Sequence, residues 1–165
     1  MKNILYSALV MLVVFGTTSC FEDIDRTFDE VTLVEFNDPV TRSPAVGVNY
    51  PILSVTRTSG VQRIRINLVG RQLQSPEDLR ISIDTAVSRL LGTRTIRAVE
   101  GTHFNLNGGT VTMRADTSFA EYQLNILNTT PRRDTSAILV LRLDGNERIR
   151  PSENYRRLGF RIELR

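Results

Sequence analysis

An all-β fold, in which antiparallel sheets pack face to face as a sandwich, is what this sequence predicts, and three observations carry the prediction. Short aliphatic runs alternate with polar residues at a period of two, which sends one face of each run to a core and the other to water. Clusters of Gly, Pro, Asn, Asp and Ser separate the runs. After the first 20 residues, no segment repeats its apolar residues at helical spacing over the length of a helix. The 165 residues, 41% apolar and 24% charged, suffice for one well-packed domain. That composition excludes collagen, coiled coil and bulk disorder.

In chain order, Val31 to Phe36 and Ile52 to Thr56 are the first strands. Between Gln62 and Val69, Ile64, Ile66 and Leu68 alternate with Arg63, Arg65 and Asn67. Leu79, Ile81 and Ile83 do the same against Arg80, Ser82 and Asp84, so Ser82 is expected in water. Thr85 to Val99 breaks the rhythm: Ala86 to Leu91 fits one or two helical turns before Gly92, as an insertion crossing one end of the sandwich. Val111 to Met113 follows the turn signal Asn107-Gly108-Gly109. Ala120, Tyr122, Leu124 and Ile126 alternate with Glu121, Gln123 and Asn125, which turns Tyr122 inward. Ala137 to Leu143 and Leu158 to Leu164 complete eight strands, each with one face to bury. All six prolines fall at strand edges or between strands, where a missing N–H does least damage.

The N-terminus is organised differently. Lys2, the apolar stretch Ile4 to Phe15 and then Gly16-Thr17-Thr18-Ser19-Cys20 read as the n-region, h-region and cleavage site of a signal peptide, too short to span a bilayer. Ser19-Cys20 after small residues resembles the lipobox of bacterial lipoproteins, with Thr17 where Leu is usual. The resemblance implies cleavage before Cys20, acylation of its thiol and new amino group, and a mature chain of 146 residues. From Cys20 to Asp38 seven acids face Arg26 alone, a net charge of −6, whereas residues 39–165 carry 19 Arg against 11 acids, or +8. Residues 1–19 are therefore read as a lipoprotein signal peptide, 20–30 as an acidic tether and 31–165 as the sandwich. Glu22, Asp23 and Asp25 resemble the export signal that sends Bacteroidetes lipoproteins to the outer face of the outer membrane, which implies an outer-membrane lipoprotein exposed at the cell surface.

Ala98-Val99-Glu100-Gly101-Thr102-His103-Phe104 runs through Gly109-Thr110-Val111-Thr112-Met113 into the strand from Ala120. This resembles the Calx-beta-type immunoglobulin-like sandwich, with its A-x-x-G-x-D-Y turn and G-x-V-x-F strand. Ser54-Val55-Thr56-Arg57-Thr58-Ser59-Gly60 resembles that family's V-x-R-x-G turn, with one extra residue before the Gly. The chain is also similar to domains of unknown function in Bacteroidetes lipoproteins. The resemblance implies an immunoglobulin-like β-sandwich. Calx-beta domains of exchangers bind calcium through clustered carboxylates, but here Asn128 stands where an acid would be, His103 replaces Asp, and Arg132 and Arg133 occupy the loop. No metal or cofactor is expected, and Glu100, Asp134 and Asp144 are read as partners of Arg or as turn caps.

One Cys and one His leave little catalytic equipment. His103 with Glu100 three residues earlier could serve a small hydrolase, although no G-x-S-x-G marks a nucleophile. Lys2 is the only lysine; the other 20 basic residues are Arg, whose planar forks suit carboxylates, sulfates and phosphates. Candidate ligand-binding residues are Tyr155, Arg156 and Arg157 near the C-terminus and the loop pair Arg132 and Arg133. The modest charge excess argues against nucleic acid. The partners expected are the membrane through the lipid anchor, an acidic glycan, lipid A or neighbouring surface lipoproteins. The leading function is a lipid-anchored, non-enzymatic binding or assembly module at the cell surface. An accessory glycan-binding subunit of a polysaccharide-uptake system is the alternative, set back by the scarcity of aromatic platforms. Asp84-Thr85-Ala86 resembles the short motif at which Bacteroidetes periplasmic proteins are O-glycosylated.

Overall fold

The computed structural model describes residues 31–86 and 90–165. Cys20, Glu22, Asp23 and Asp25, with the rest of the signal peptide and tether, lie outside the described residues. So do residues 87–89 of the expected helical turn.

Among the described residues, eleven strands and one short helix follow in order: β1 (Leu33–Phe36), α1 (Asn37–Thr41), β2 (Ile52–Thr56), β3 (Val61–Val69), β4 (Glu77–Ile83), β5 (Thr95–Arg97), β6 (Phe104–Asn105), β7 (Thr110–Met113), β8 (Phe119–Ile126), β9 (Ser136–Gly145), β10 (Arg150–Pro151) and β11 (Arg157–Glu163). One sheet has the order β10-β1-β3-β8-β6; the other is β2-β11-β9-β4-β7. All eight expected strands are present. β5, β6, β10 and α1 are additional, each too short to establish a period. Most neighbours are antiparallel, but β1 and β10, β2 and β11, and β5 and β9 pair in parallel.

Between the sheets, alternate residues interdigitate. Val34 and Phe36, Ile64 and Ile66, and Tyr122 and Leu124 come from one sheet; Leu79 and Ile81, Leu139 to Leu143 at alternate positions, and Leu158, Phe160 and Ile162 come from the other. Ile64 faces Tyr122 and Ile66 faces Ala120 across the β3–β8 ladder, so both strands turn the same class of residue inward. The expected phases of β3, β4 and β8 hold, with two corrections: Asp84, just past β4, is buried where its phase puts it in water, and Ser82 is partly so. Ser82 is half-buried and its Oγ is shielded from solvent without a hydrogen-bond partner. It lies opposite Arg142, whose long side chain shares that face.

β9 departs from alternation: every residue from Ser136 to Leu141 is buried. Its outward Ile138 and Val140 join Tyr50 in a second apolar cluster, packed by Val48, Ile52, Leu90 and Leu91. Leu90 and Leu91, after β4, therefore lie on the face of this sheet, not across one end of the sandwich as the sequence suggests. Ile138 and Val140 supply the reason, since without that cover two large aliphatic side chains would face water. β5 then pairs with residues 136–138 of β9, the stretch that β4 leaves unpaired.

The turn after β9 shapes the neighbouring site. Gly145 takes a left-handed φ of 70°, and a Cβ there would collide with the carbonyl oxygen of Ile149. Asn146 closes the turn by accepting the N–H groups of Arg148 (2.9 Å) and Ile149 (2.8 Å) on its side-chain oxygen.

Candidate functional site

The outward positions of β4, β9 and β11 place charged groups side by side. Arg142 lies opposite Ser82 on one side and Arg157 on the other. Two adjacent guanidinium groups repel, and each is answered by its own carboxylate. Arg142 Nε donates to Asp144 Oδ1 at 2.6 Å, and Arg157 Nε donates to Asp84 Oδ2 at 2.6 Å. Asp84 is only 7% exposed, and its second oxygen accepts the Ala86 N–H at 2.9 Å. Burial pushes this carboxyl up. The Arg157 bond, the Ala86 N–H and the charges of Arg157 and Arg142 outweigh burial and hold it below the usual carboxylate range.

Two recesses flank this network. The first, of about 560 Å³, is lined by the loop Gly47 to Tyr50 with Asp84, Ala86 and Arg157. The second, of about 650 Å³, opens where β1 and β10 run beside the network; Arg142, Arg150 and Arg156 line it, with Asp144, Ser152 and Glu153. Arg156 Nη2 meets Glu153 Oε2 at 2.9 Å, while its Nε is buried without a partner. The Arg150 side chain makes no hydrogen bond or ion pair among the described residues.

The five sequence-selected residues do not form one cluster. Arg156 and Arg157 diverge, one into each recess. Tyr155 is 37% exposed and lines neither; its carbonyl accepts the Phe36 N–H at 3.0 Å. Arg132 donates its N–H to the carbonyl of Leu164, seven residues along the chain from Arg157, or about 23 Å at roughly 3.3 Å per strand residue. The loop pair Arg132 and Arg133 therefore sits at the other end of the sandwich. Asp84 and Arg142 were not selected, because at outward positions of a period-two strand they read as solvated charges.

Around the Calx-beta-like turn, His103 is buried and its Nδ1 accepts the Val99 N–H at 3.0 Å. Burial, together with the charge of Arg132, holds its imidazole below the usual histidine range. Glu100 Oε1 accepts the Leu106 N–H at 3.2 Å. The Tyr122 hydroxyl donates to the Leu106 carbonyl, and burial, with Glu100 adding to it, pushes the phenol up to about 12. At Asn128 the side-chain oxygen accepts from Arg57 Nη1, which also donates to the Thr129 carbonyl at 3.2 Å. A guanidinium thus sits beside the position where the motif has an acid. Among the described residues, no three His, Cys, Asp or Glu side chains gather closely enough to hold a metal ion.

No protein-family model and no curated protein sequence matches the chain. Solved structures match its fold. The apo Calx CBD1 domain superposes with a TM-score of 0.56 at 12% identity, covering 81% of this chain and 97% of that domain. A two-domain protein of unknown function from Bacteroides fragilis gives 0.58 at 8% identity, covering 82% of this chain and 46% of the other. A candidate carbohydrate-binding protein from Bacteroides ovatus gives 0.52 at 12%, covering 80% and 37%. The chain spans less than half the length of either Bacteroides protein. It has the immunoglobulin-like β-sandwich fold of Calx-beta domains.

Proposed function

We propose that this chain is a non-enzymatic binding or assembly module, lipid-anchored through Cys20 at the outer membrane, exported to the cell surface by Glu22, Asp23 and Asp25, and able to hold an acidic glycan on its arginine network. The observation that carries the reading is the gathering of Arg142, Arg150, Arg156 and Arg157 on one side of the sandwich, against Asp84, Asp144 and Glu153, beside two recesses. Guanidinium forks exceed the carboxylates that answer them, and such a surplus suits a polyanion. Titration with a uronate-rich polysaccharide and its neutral counterpart tests it: the acidic polymer should bind in a salt-sensitive way and the neutral one should not. Equal binding of the two would overturn the reading. For the anchor, Cys20→Ser should abolish fatty-acid labelling, and persistent labelling would reject it.

The fold shared with the candidate carbohydrate-binding protein from Bacteroides ovatus favours a second reading, an accessory glycan-binding subunit of a polysaccharide-uptake system. Co-purification with a transporter would support it. A hydrolase built on His103 has less support: the imidazole lines neither recess and its Nδ1 is committed to the turn. Turnover abolished by His103→Ala would reverse that judgement.

A further inference from the structure

The second recess differs from the first in the kind of anion it suits. Three arginines line it from three places in the chain: Arg142 on β9, Arg150 on β10 and Arg156 just before β11. Their donors are underused. Arg142 commits Nε to Asp144, Arg156 commits Nη2 to Glu153, and Arg150 commits no donor among the described residues. The Arg156–Glu153 pair is also weakly held, because the Glu153 side chain is 76% exposed and can turn into solvent. Arg156 Nε is shielded from solvent without a partner, which costs free energy and leaves that donor unused. A planar carboxylate presents two oxygens in one plane and is satisfied by a donor to each, as Asp84 is by Arg157 Nε and the Ala86 N–H. Three arginines around one recess offer more donors than the two oxygens of a carboxylate can use, which suits a group with three terminal oxygens around one centre.

We infer that the recess formed by Arg142, Arg150 and Arg156 is a binding site for a phosphate monoester, such as a phosphorylated sugar or a phosphate-bearing lipid headgroup. This rests on the polyanion-binding reading and gives it a chemical class. Val31 and Leu33 line the same recess, so it lies where the tether from Cys20 enters the domain. Eleven residues of tether reach at most about 35 Å at roughly 3.3 Å each, which keeps the recess close to the surface that the anchor would occupy.

The test uses the full chain carrying Cys20→Ser, so that no acyl chain contributes, and compares glucose 1-phosphate with glucuronate by calorimetry. Glucose 1-phosphate should bind at least roughly tenfold more tightly. Arg150→Ala, which breaks no pair in the fold, should weaken it about tenfold. Glu153→Gln, which removes the competing carboxylate, should tighten it, and Arg132→Ala at the other end should leave it unchanged. Vesicles of phosphatidylcholine with and without phosphatidic acid separate the sources: retention on phosphatidic acid, lost with Arg150→Ala, assigns the site to a lipid headgroup, and binding of the soluble ester alone assigns it to a soluble one. Equal affinity for the two sugars, or constants that neither Arg150→Ala nor Glu153→Gln moves, would overturn the phosphate assignment. An acidic polysaccharide that still bound would then leave the broader reading intact. Tight binding of the ester without any binding of the polysaccharide would do the reverse.

Discussion

Asp84 is held below the usual carboxylate range by the Arg157 and Ala86 bonds to its two oxygens and by the charges of Arg157 and Arg142. Arg157→Ala should therefore cost about 3–5 kcal/mol, the penalty for leaving a buried charge unanswered, and adding Asp84→Asn should recover much of it. Denaturant midpoints of the single and double variants would show whether the two losses couple. The pH dependence has a definite sign. Asp84 is held below its unfolded value, so its contribution is complete above the ordinary carboxylate range and is lost as pH falls through the lower folded value. His103 is also depressed: the unfolded chain takes up its proton first, and stability declines as pH drops below about 6.5. His103→Gln should flatten the fall in unfolding midpoint between pH 7 and pH 5, and an unchanged slope would assign that fall to other groups. Ser82 shows how a side chain can be misjudged by its polarity. Its hydroxyl is shielded and unpartnered, so Ser82→Ala should be neutral or stabilising, whereas Ile81→Ala should cost about 2–5 kcal/mol.

Strands that obey the period of two were legible because one face meets solvent, as in β8, where exposed Glu121 and Gln123 separate buried Tyr122 and Leu124. Leu124→Ala there should cost about 2–5 kcal/mol and Gln123→Ala less than about 0.5. In β9 the contrast should vanish: Ile138→Ala, on the outward face, should be about as damaging as Leu139→Ala, because both are nearly fully buried. A loss at Ile138 resembling that at Gln123 would mean that Val48, Leu90 and Leu91 do not cover it. The uninterrupted run Ala137 to Leu141 was a sign of burial on both faces, but periodicity cannot say which distant segment provides the cover. The same limit applies to the site. Arg156 and Arg157 were visible as neighbours in sequence, yet they line separate recesses, and Asp84 shares one of these with a loop more than thirty residues away.

At the scale of the whole molecule, the sandwich followed from counting half-buried strands, while the order of strands within each sheet did not. Two of the three parallel pairs, β1 with β10 and β2 with β11, join the two ends of the chain, and such contacts leave no local trace in sequence. Because these pairings are so distant, refolding should be slow for a chain this size, in the millisecond-to-second range, and stopped-flow fluorescence of the tyrosines would measure it. The β2–β11 pair has a further consequence for a chain made and moved from its N-terminus. Among the described residues β2 pairs only with β11, so this edge of the sheet cannot form until residues 157–163 have emerged. A nascent chain halted at Arg156 would have its first strands in hand and the edge of β9 open. It would stay susceptible to protease, and the pairing of residues 157–163 with β2 and β9 would act as the latch that ends that state.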